Sequence, residues 1–259
     1  MKFLKKNIKF IAIFLIGMII GSTVSVYAAY SYLAQDVSYT KSDGTEISVK
    51  EALDQLYAKN PESKPAPTTT NYTGYYADVN DDGTVDGVIF VDLAKGASGN
   101  WNPGNNSWAA SNNTGVYSYS AVTSGLRSYK ISTKISSYSG KFGTKPVIAP
   151  NGTSGNARFY VMALSDYDTS THTWSDARYK TQTVGSVTFR LPSKEEWAAF
   201  GGQLGINTSN YSSSYGLSSW YWSSTEYVSS YAWSARFYGG YMDNYLEADY
   251  YCVRLCATF

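Results

Sequence analysis

The sequence predicts an α+β domain of short mixed strands with one well-marked helix, set behind an N-terminal export or anchor segment and a short helical stalk. Three observations carry this. From Tyr72 onward, short runs rich in Tyr, Val, Phe and Thr alternate with Gly, Asn and Ser clusters, which is strand-and-turn chemistry. One stretch, beginning at Leu191, carries a helix-start signature. Aromatic residues make up 16% of the chain, 25 of them Tyr, which is far more apolar surface than a disordered segment holds. At 259 residues there is enough chain for one large core or two small ones.

The elements follow in order. Lys2, Lys5, Lys6 and Lys9 precede an uncharged run from Phe10 to Ala29, most apolar over Phe10 to Ile20. A basic start, a short apolar core and the small residues of Val26-Tyr27-Ala28-Ala29 fit a signal peptide cleaved near Ala28. The whole uncharged run of about 20 residues is also long enough for an uncleaved anchor with its lysines inside. Residues 1–29 are therefore a signal peptide or a membrane anchor, and either places the rest outside the cytoplasm.

Residues 30–59 form the stalk. Ile47, Val49, Ala52, Leu53, Leu56 and Tyr57 recur at helical spacing between Glu46 and Lys59, with Lys50, Glu51, Asp54 and Gln55 opposite. A helix this short needs a partner, either a neighbouring surface or another copy in a homo-oligomer. Residues 60–71 carry three prolines among small polar residues and read as a semi-extended linker. The remaining residues, 72–259, are the folded domain.

Within that domain, Ser193 and Glu196 in Leu191-Pro192-Ser193-Lys194-Glu195-Glu196-Trp197 are spaced for a capping box. Trp197, Phe200 and Leu204 share its buried face, and Gly201 and Gly202 are expected to begin breaking the helix. Strict alternation marks Trp233, Ala235 and Phe237, then Tyr251, Val253, Leu255, Ala257 and Phe259, as the inward faces of two strands.

Several chemistries are excluded or narrowed. The first 29 residues hold four of the 21 Lys and Arg and no acid, so 17 cations face 20 carboxylates beyond them. That weakly acidic remainder does not suit nucleic acid. The single histidine, His172, reads as a loop residue and lacks a second His for a typical metal site. Asp78-Val79-Asn80-Asp81-Asp82-Gly83-Thr84-Val85-Asp86 places Asp78, Asn80, Asp82 and Asp86 at positions 1, 3, 5 and 9 of an EF-hand loop, with Gly83 at 6 and Thr84 among the ligands. Position 12 is Ile89 where a bidentate carboxylate belongs. The loop is therefore either a weak calcium site or a hairpin turn between strands at Tyr75–Ala77 and Val85–Leu93. No other cofactor is implied. Cys252 and Cys256, four residues apart on a strand, are about 13 Å apart, too far for a disulfide.

The last fifty residues hold 10 of the 25 tyrosines and no lysine. Tyr with Ser, Gly, Asn and Asp is the composition of an antibody paratope, where Tyr gives large contact area at small entropic cost. A Tyr-covered sheet would have the same composition for packing reasons alone. Tyr227, Ser229, Ser230, Tyr231, Ser234, Tyr238, Gly239, Tyr241, Asp243, Asn244, Tyr245, Ala248, Asp249, Tyr250 and Cys252 share no apolar period, so they are the candidate ligand-binding residues.

Two resemblances add to this. Asp36-Val37-Ser38-Tyr39 and Val49-Lys50-Glu51-Ala52-Leu53-Asp54-Gln55-Leu56-Tyr57 resemble a short segment common in phage tail fibres and Gram-positive surface proteins. Arg190-Leu191-Pro192-Ser193-Lys194-Glu195-Glu196-Trp197, Tyr215-Gly216-Leu217, Trp220-Tyr221-Trp222-Ser223-Ser224-Thr225-Glu226, Ala232-Trp233, Arg236-Phe237 and Tyr251-Cys252-Val253-Arg254-Leu255 resemble variable proteins of diversity-generating retroelements. That resemblance, over roughly Gly74 to Phe259, implies a C-type-lectin-type fold related to the formylglycine-generating enzyme. It also implies a variable region, here 222–256, rewritten at Asn-type codons into Tyr, Ser, Asp, Gly, Ala, Cys or Asn. The fifteen residues above are all of these types; Met242 and Glu247 are not.

The expected function is a surface-displayed binding protein for an unknown protein or glycan on another cell or phage. The alternative is a fixed-specificity adhesin or carbohydrate-binding protein. Catalysis by the cysteine pair is not expected, because Cys252 falls at a candidate variable position and a diversified codon is a poor place for a catalytic thiol.

Overall fold

Strand β4 (Gly87–Asp92) shows how the domain is built. Every residue of Gly-Val-Ile-Phe-Val-Asp is buried, with Ile89 in one hydrophobic cluster and Val88 and Phe90 in another. A strand covered on both faces needs apolar residues at both parities. Strand β10 (Phe159–Ala163) does the same, sending Phe159 and Val161 to the first cluster and Met162 to the second.

The computed structural model describes residues 38–40, 45–48, 51, 55 and 70–259. The chain divides into two compact units, Met1–Lys64 and Pro65–Phe259. The second takes in the latter half of the expected linker. The signal or anchor segment 1–29 lies outside the described residues. Among the described residues no helix is long and apolar enough to cross a membrane.

In the first unit, β1 (Ser38–Thr40) pairs antiparallel with β2 (Glu46–Ser48). The expected helix from Glu46 is thus corrected at its start: Ile47 sits in a strand. The Ser48 hydroxyl accepts from the Glu51 amide at 3.0 Å, and Glu51 and Gln55 are helical, so helical structure follows Ser48. The rest of the stalk lies outside the described residues.

The second unit is mixed α+β and mostly strand. Its main sheet runs β11 (Thr181–Val184), β12 (Val187–Arg190), β16 (Cys256–Thr258), β10, β4, β3 (Tyr76–Ala77), β9 (Gly143–Pro150) and β7 (Tyr129–Ile131), with β8 (Ser137–Gly140) also on β9. Only the β3–β9 pairing is parallel in this sheet. A two-stranded ribbon joins β5 (Ala97–Asn100) to β6 (Val116–Tyr119), and β13 (Trp220–Val228), β14 (Tyr231–Arg236) and β15 (Tyr241–Leu246) form a separate antiparallel sheet.

Three helices are short: α1 (Ser107–Ser111), α2 (Trp174–Ala177) and α3 (Lys194–Gln203). The capping box of α3 forms as expected, with Glu196 N on Ser193 Oγ at 3.2 Å and Ser193 N on Glu196 Oε2 at 2.7 Å. Gly201 and Gly202 lie in the last turn of α3, which ends one residue beyond them at Gln203. A Cβ on Gly201 would stand 2.5 Å from the Trp101 indole, and one on Gly202 2.5 Å from the Tyr117 hydroxyl. Close approach to two rings, not termination, is what requires glycine here.

The last strand is shorter than alternation suggests. Val253, Leu255, Ala257 and Phe259 are buried as expected, but so are Arg254 and Cys256 on the other parity. Arg254 is held by Asp166 at 2.7 Å, and Cys256 lies against Glu196 at 3.5 Å. Both cysteines are free thiols.

Candidate ligand-binding face

The β13–β15 sheet is fixed by register. Trp220, Arg236 and Tyr241 are mutual neighbours across the strands, as are Trp222, Ser234 and Asp243. With side chains alternating along each strand, these six share one face with Ala232 and Tyr245. The opposite face presents Tyr221, Trp233, Ala235 and Met242 to the cluster that includes Trp197 and Phe200 of α3. Tyr221 lies 5.0 Å from Trp197, and the Trp197 indole N–H donates to Trp222 O at 3.0 Å. The helix therefore anchors the sheet from behind.

On the first face, outward at Arg236, Asp243 and Tyr245 and buried at Trp222, Ala232 and Ser234, the aromatic rings interlock. Trp220 stacks on Tyr251 at 5.1 Å and meets Tyr245 edge-on at 4.7 Å. The Arg236 guanidinium lies 4.6 Å from the Trp220 ring and 5.3 Å from that of Tyr241. Its Nη1 donates to the hydroxyls of Tyr241 and Tyr245, and Tyr245 donates to Asp243 Oδ2 at 3.0 Å. Burial, with Asp243 next to it, pushes the Tyr245 hydroxyl well above the usual phenol range, so it stays a donor. Burial and then Asp249 do the same to Tyr251.

The expected ligand-binding residues divide by exposure. Tyr227, Ser229, Ser230, Tyr231, Tyr238, Ala248 and Tyr250 are exposed; Gly239, Asp243, Asn244, Tyr245, Asp249 and Cys252 are half-buried. Ser234 is fully buried and Tyr241 is 8% exposed, so these two shape the face from within. The exposed ones sit at three turns. Ser229 and Ser230 turn β13 into β14, with Ser230 at φ 71°; Tyr238 and Gly239 lie between β14 and β15; Ala248 to Tyr250 follow β15. Sequence reasoning missed Trp220 and Arg236, and placed Tyr251 in the core although it is half-buried in this cluster. The parity of Ser234 and Asp243 along their strands was the signal that could have found Arg236. It also missed Val228 and Leu246, which flank Tyr231 across the strands and are 53% and 45% exposed.

The acidic loop forms the turn of the β3–β4 hairpin, in the register Tyr76↔Val88 and Ala77↔Gly87. Its oxygens turn inward. Asp78 accepts from the Asp82 and Gly83 amides at 3.0 and 2.9 Å, Asp82 from Asn80 Nδ2 and the Thr84 amide, and Asp86 from the Val79 amide at 2.8 Å. Lys130 pairs with Asp81 at 2.8 Å, and the Lys134 ammonium donates to the Asp81 carbonyl. Ile89 at position 12 is buried within β4. Among the described residues no three His, Cys, Asp or Glu side chains group as metal ligands. Asp86 is raised to about 6, by burial first and then by Asp78 and Asp82. It also borders a cavity of about 230 Å³ shared with Asp166 and Gln182.

His172 lies in the loop between β10 and α2, as expected, but its side chain is only 11% exposed. Nδ1 lies 2.6 Å from Asp176 and Nε2 3.0 Å from Asp168. Both thiols are raised, chiefly by burial. A low-pKa thiolate is what cysteine nucleophiles need, and this is the opposite shift. No protein-family model and no curated protein matches the chain.

Proposed function

We propose that this is a surface-displayed binding protein whose β13–β15 sheet and its three turns form the ligand-contact face. One observation carries the reading. Tyr227, Tyr231, Tyr238 and Tyr250 are 38–64% exposed while the sheet beneath them is closed by backbone pairing and by α3. Large amphipathic rings on a rigid support are what a binding surface requires, because little conformational entropy is lost on contact. Tyr227 meets the Trp233 ring edge-on at 5.1 Å and still leaves 48% of its surface exposed.

In this reading the domain is a C-type-lectin-type frame, exported or anchored by residues 1–29, and its exposed positions are rewritten by retroelement mutagenesis. The ligand is carried by another cell or a phage. Deep sequencing of the locus from one clonal population tests the diversification. Differences confined to the codons of the exposed positions, at adenines of a near-copy template, are the expected result. A uniform locus without a template overturns it and leaves the fixed-specificity adhesin. The buried Ser234 and the tyrosine hydroxyl network around Tyr241 favour that second reading at those two positions, since substitutions there disturb packing.

A further inference from the structure

Charge on the outward face is uneven, and one pair decides its sign. Residues 210–259 hold Glu226, Asp243, Glu247 and Asp249 against Arg236 and Arg254. Arg254 is 3% exposed and committed to Asp166, so it presents nothing outward. Lys194 lies over Trp233, on the side of the sheet where Tyr227 also packs, and not on the side of Arg236. Arg236 is therefore the one cation that these fifty residues bring to the Trp220 side of the sheet.

Its bonding is incomplete. The hydrogen bonds of Arg236 leave through Nη1, towards Tyr241 and Tyr245, and its Nε is buried without a partner. Asp243 stands 3.6 Å from Nη1, beyond hydrogen-bond distance, and is tied to it through the Tyr245 hydroxyl. A guanidinium flattened on tryptophan with unused donors is a ready carboxylate receptor. Asp243 is what neutralises it.

Resting on the binding-face reading above, we infer that Asp243 sets the charge of the ligand, and that in this chain the face takes a cationic one, a Lys- or Arg-bearing protein segment. With Asp243 present, Arg236 is balanced and Glu226, Glu247 and Asp249 give the surroundings their sign. Without its carboxylate, Arg236 is released and the same shelf of rings selects an anion. One position thus switches ligand class while the aromatic frame stays fixed.

The test uses the full chain and two dye-labelled synthetic peptides of equal length, one Lys-rich and one Glu-rich, followed by fluorescence anisotropy. The parent binds the Lys-rich peptide about tenfold more tightly than the Glu-rich one, and the preference fades at about 0.5 M salt, where screening is short-ranged. Asp243→Asn reverses the preference, and Asp243→Ser does so too should the amide disturb folding. Glu195→Gln, the same charge change on α3 behind the sheet, leaves the order unchanged, and adding Arg236→Gln to Asp243→Asn abolishes the gain for the Glu-rich peptide. An equal effect of Glu195→Gln, or a gain that survives loss of Arg236, overturns the inference, as does equal binding of both peptides by the parent. Binding of neither peptide by the parent or any variant overturns the binding-face reading itself.

Discussion

His172 is the single histidine of the chain, so its titration is read directly from one imidazole signal. Burial works to lower its pKa, and the hydrogen bonds to Asp168 and Asp176 outweigh this, leaving it raised. A group with a raised folded pKa contributes stability that is complete below its unfolded value, about 6.5, and is lost as pH rises through the folded value. The imidazole midpoint in NMR should therefore lie above 6.5. The melting temperature should fall by about one or two degrees as pH rises through that midpoint, and His172→Gln should flatten the fall. The backbone of His172 exchanges two hydrogen bonds with Tyr251, at 2.8 and 3.1 Å, and its carbonyl receives the Trp222 indole N–H at 2.7 Å. The residue therefore supports the ring on which Trp220 rests.

At the scale of elements, α3 separates what the sequence makes legible from what it hides. Its start could be read because a capping box is local: Ser193 and Glu196 satisfy each other's backbone within four residues. The need for glycine in its last turn could not, because Gly201 and Gly202 answer to Trp101 and Tyr117, far off in the chain. Gly201→Ala should gain about 1 kcal/mol of helix propensity yet lose about 1–3 kcal/mol to overpacking against the Trp101 indole. Urea denaturation should show a net loss; a net gain would mean that the indole moves freely. The candidate face follows the same logic. The unpatterned tyrosines at the turns could be read from composition, whereas the placing of Arg236 beside Tyr241 and Asp243 depends on pairing across β14 and β15, which single-strand periodicity does not encode.

Across the whole domain, the residues that hold the fold and the exposed tyrosines of the candidate face are different. Arg158 and Asp92 are 3% and 0% exposed in their side chains, joined by two hydrogen bonds of 2.7 Å. The same pair holds the start of the domain, with Tyr72 N on Asp92 at 3.2 Å and Arg158 Nη2 on Thr70 O at 3.2 Å. Removing one partner of such a pair leaves a buried charge, so Asp92→Asn should cost about 3–5 kcal/mol in chemical denaturation. Tyr238→Ala and Tyr250→Ala, each 64% exposed in the parent, should stay within about 0.5 kcal/mol of it. The order of strands gives this separation a further meaning. Strand β16 follows the whole candidate face in the chain, yet it lies inside the main sheet between β12 and β10. A frameshift or premature stop anywhere in residues 228–252 deletes that central strand. Chains so truncated leave two strand edges unpaired, so the fold acts as its own proofreader and only copies with an intact reading frame complete the main sheet.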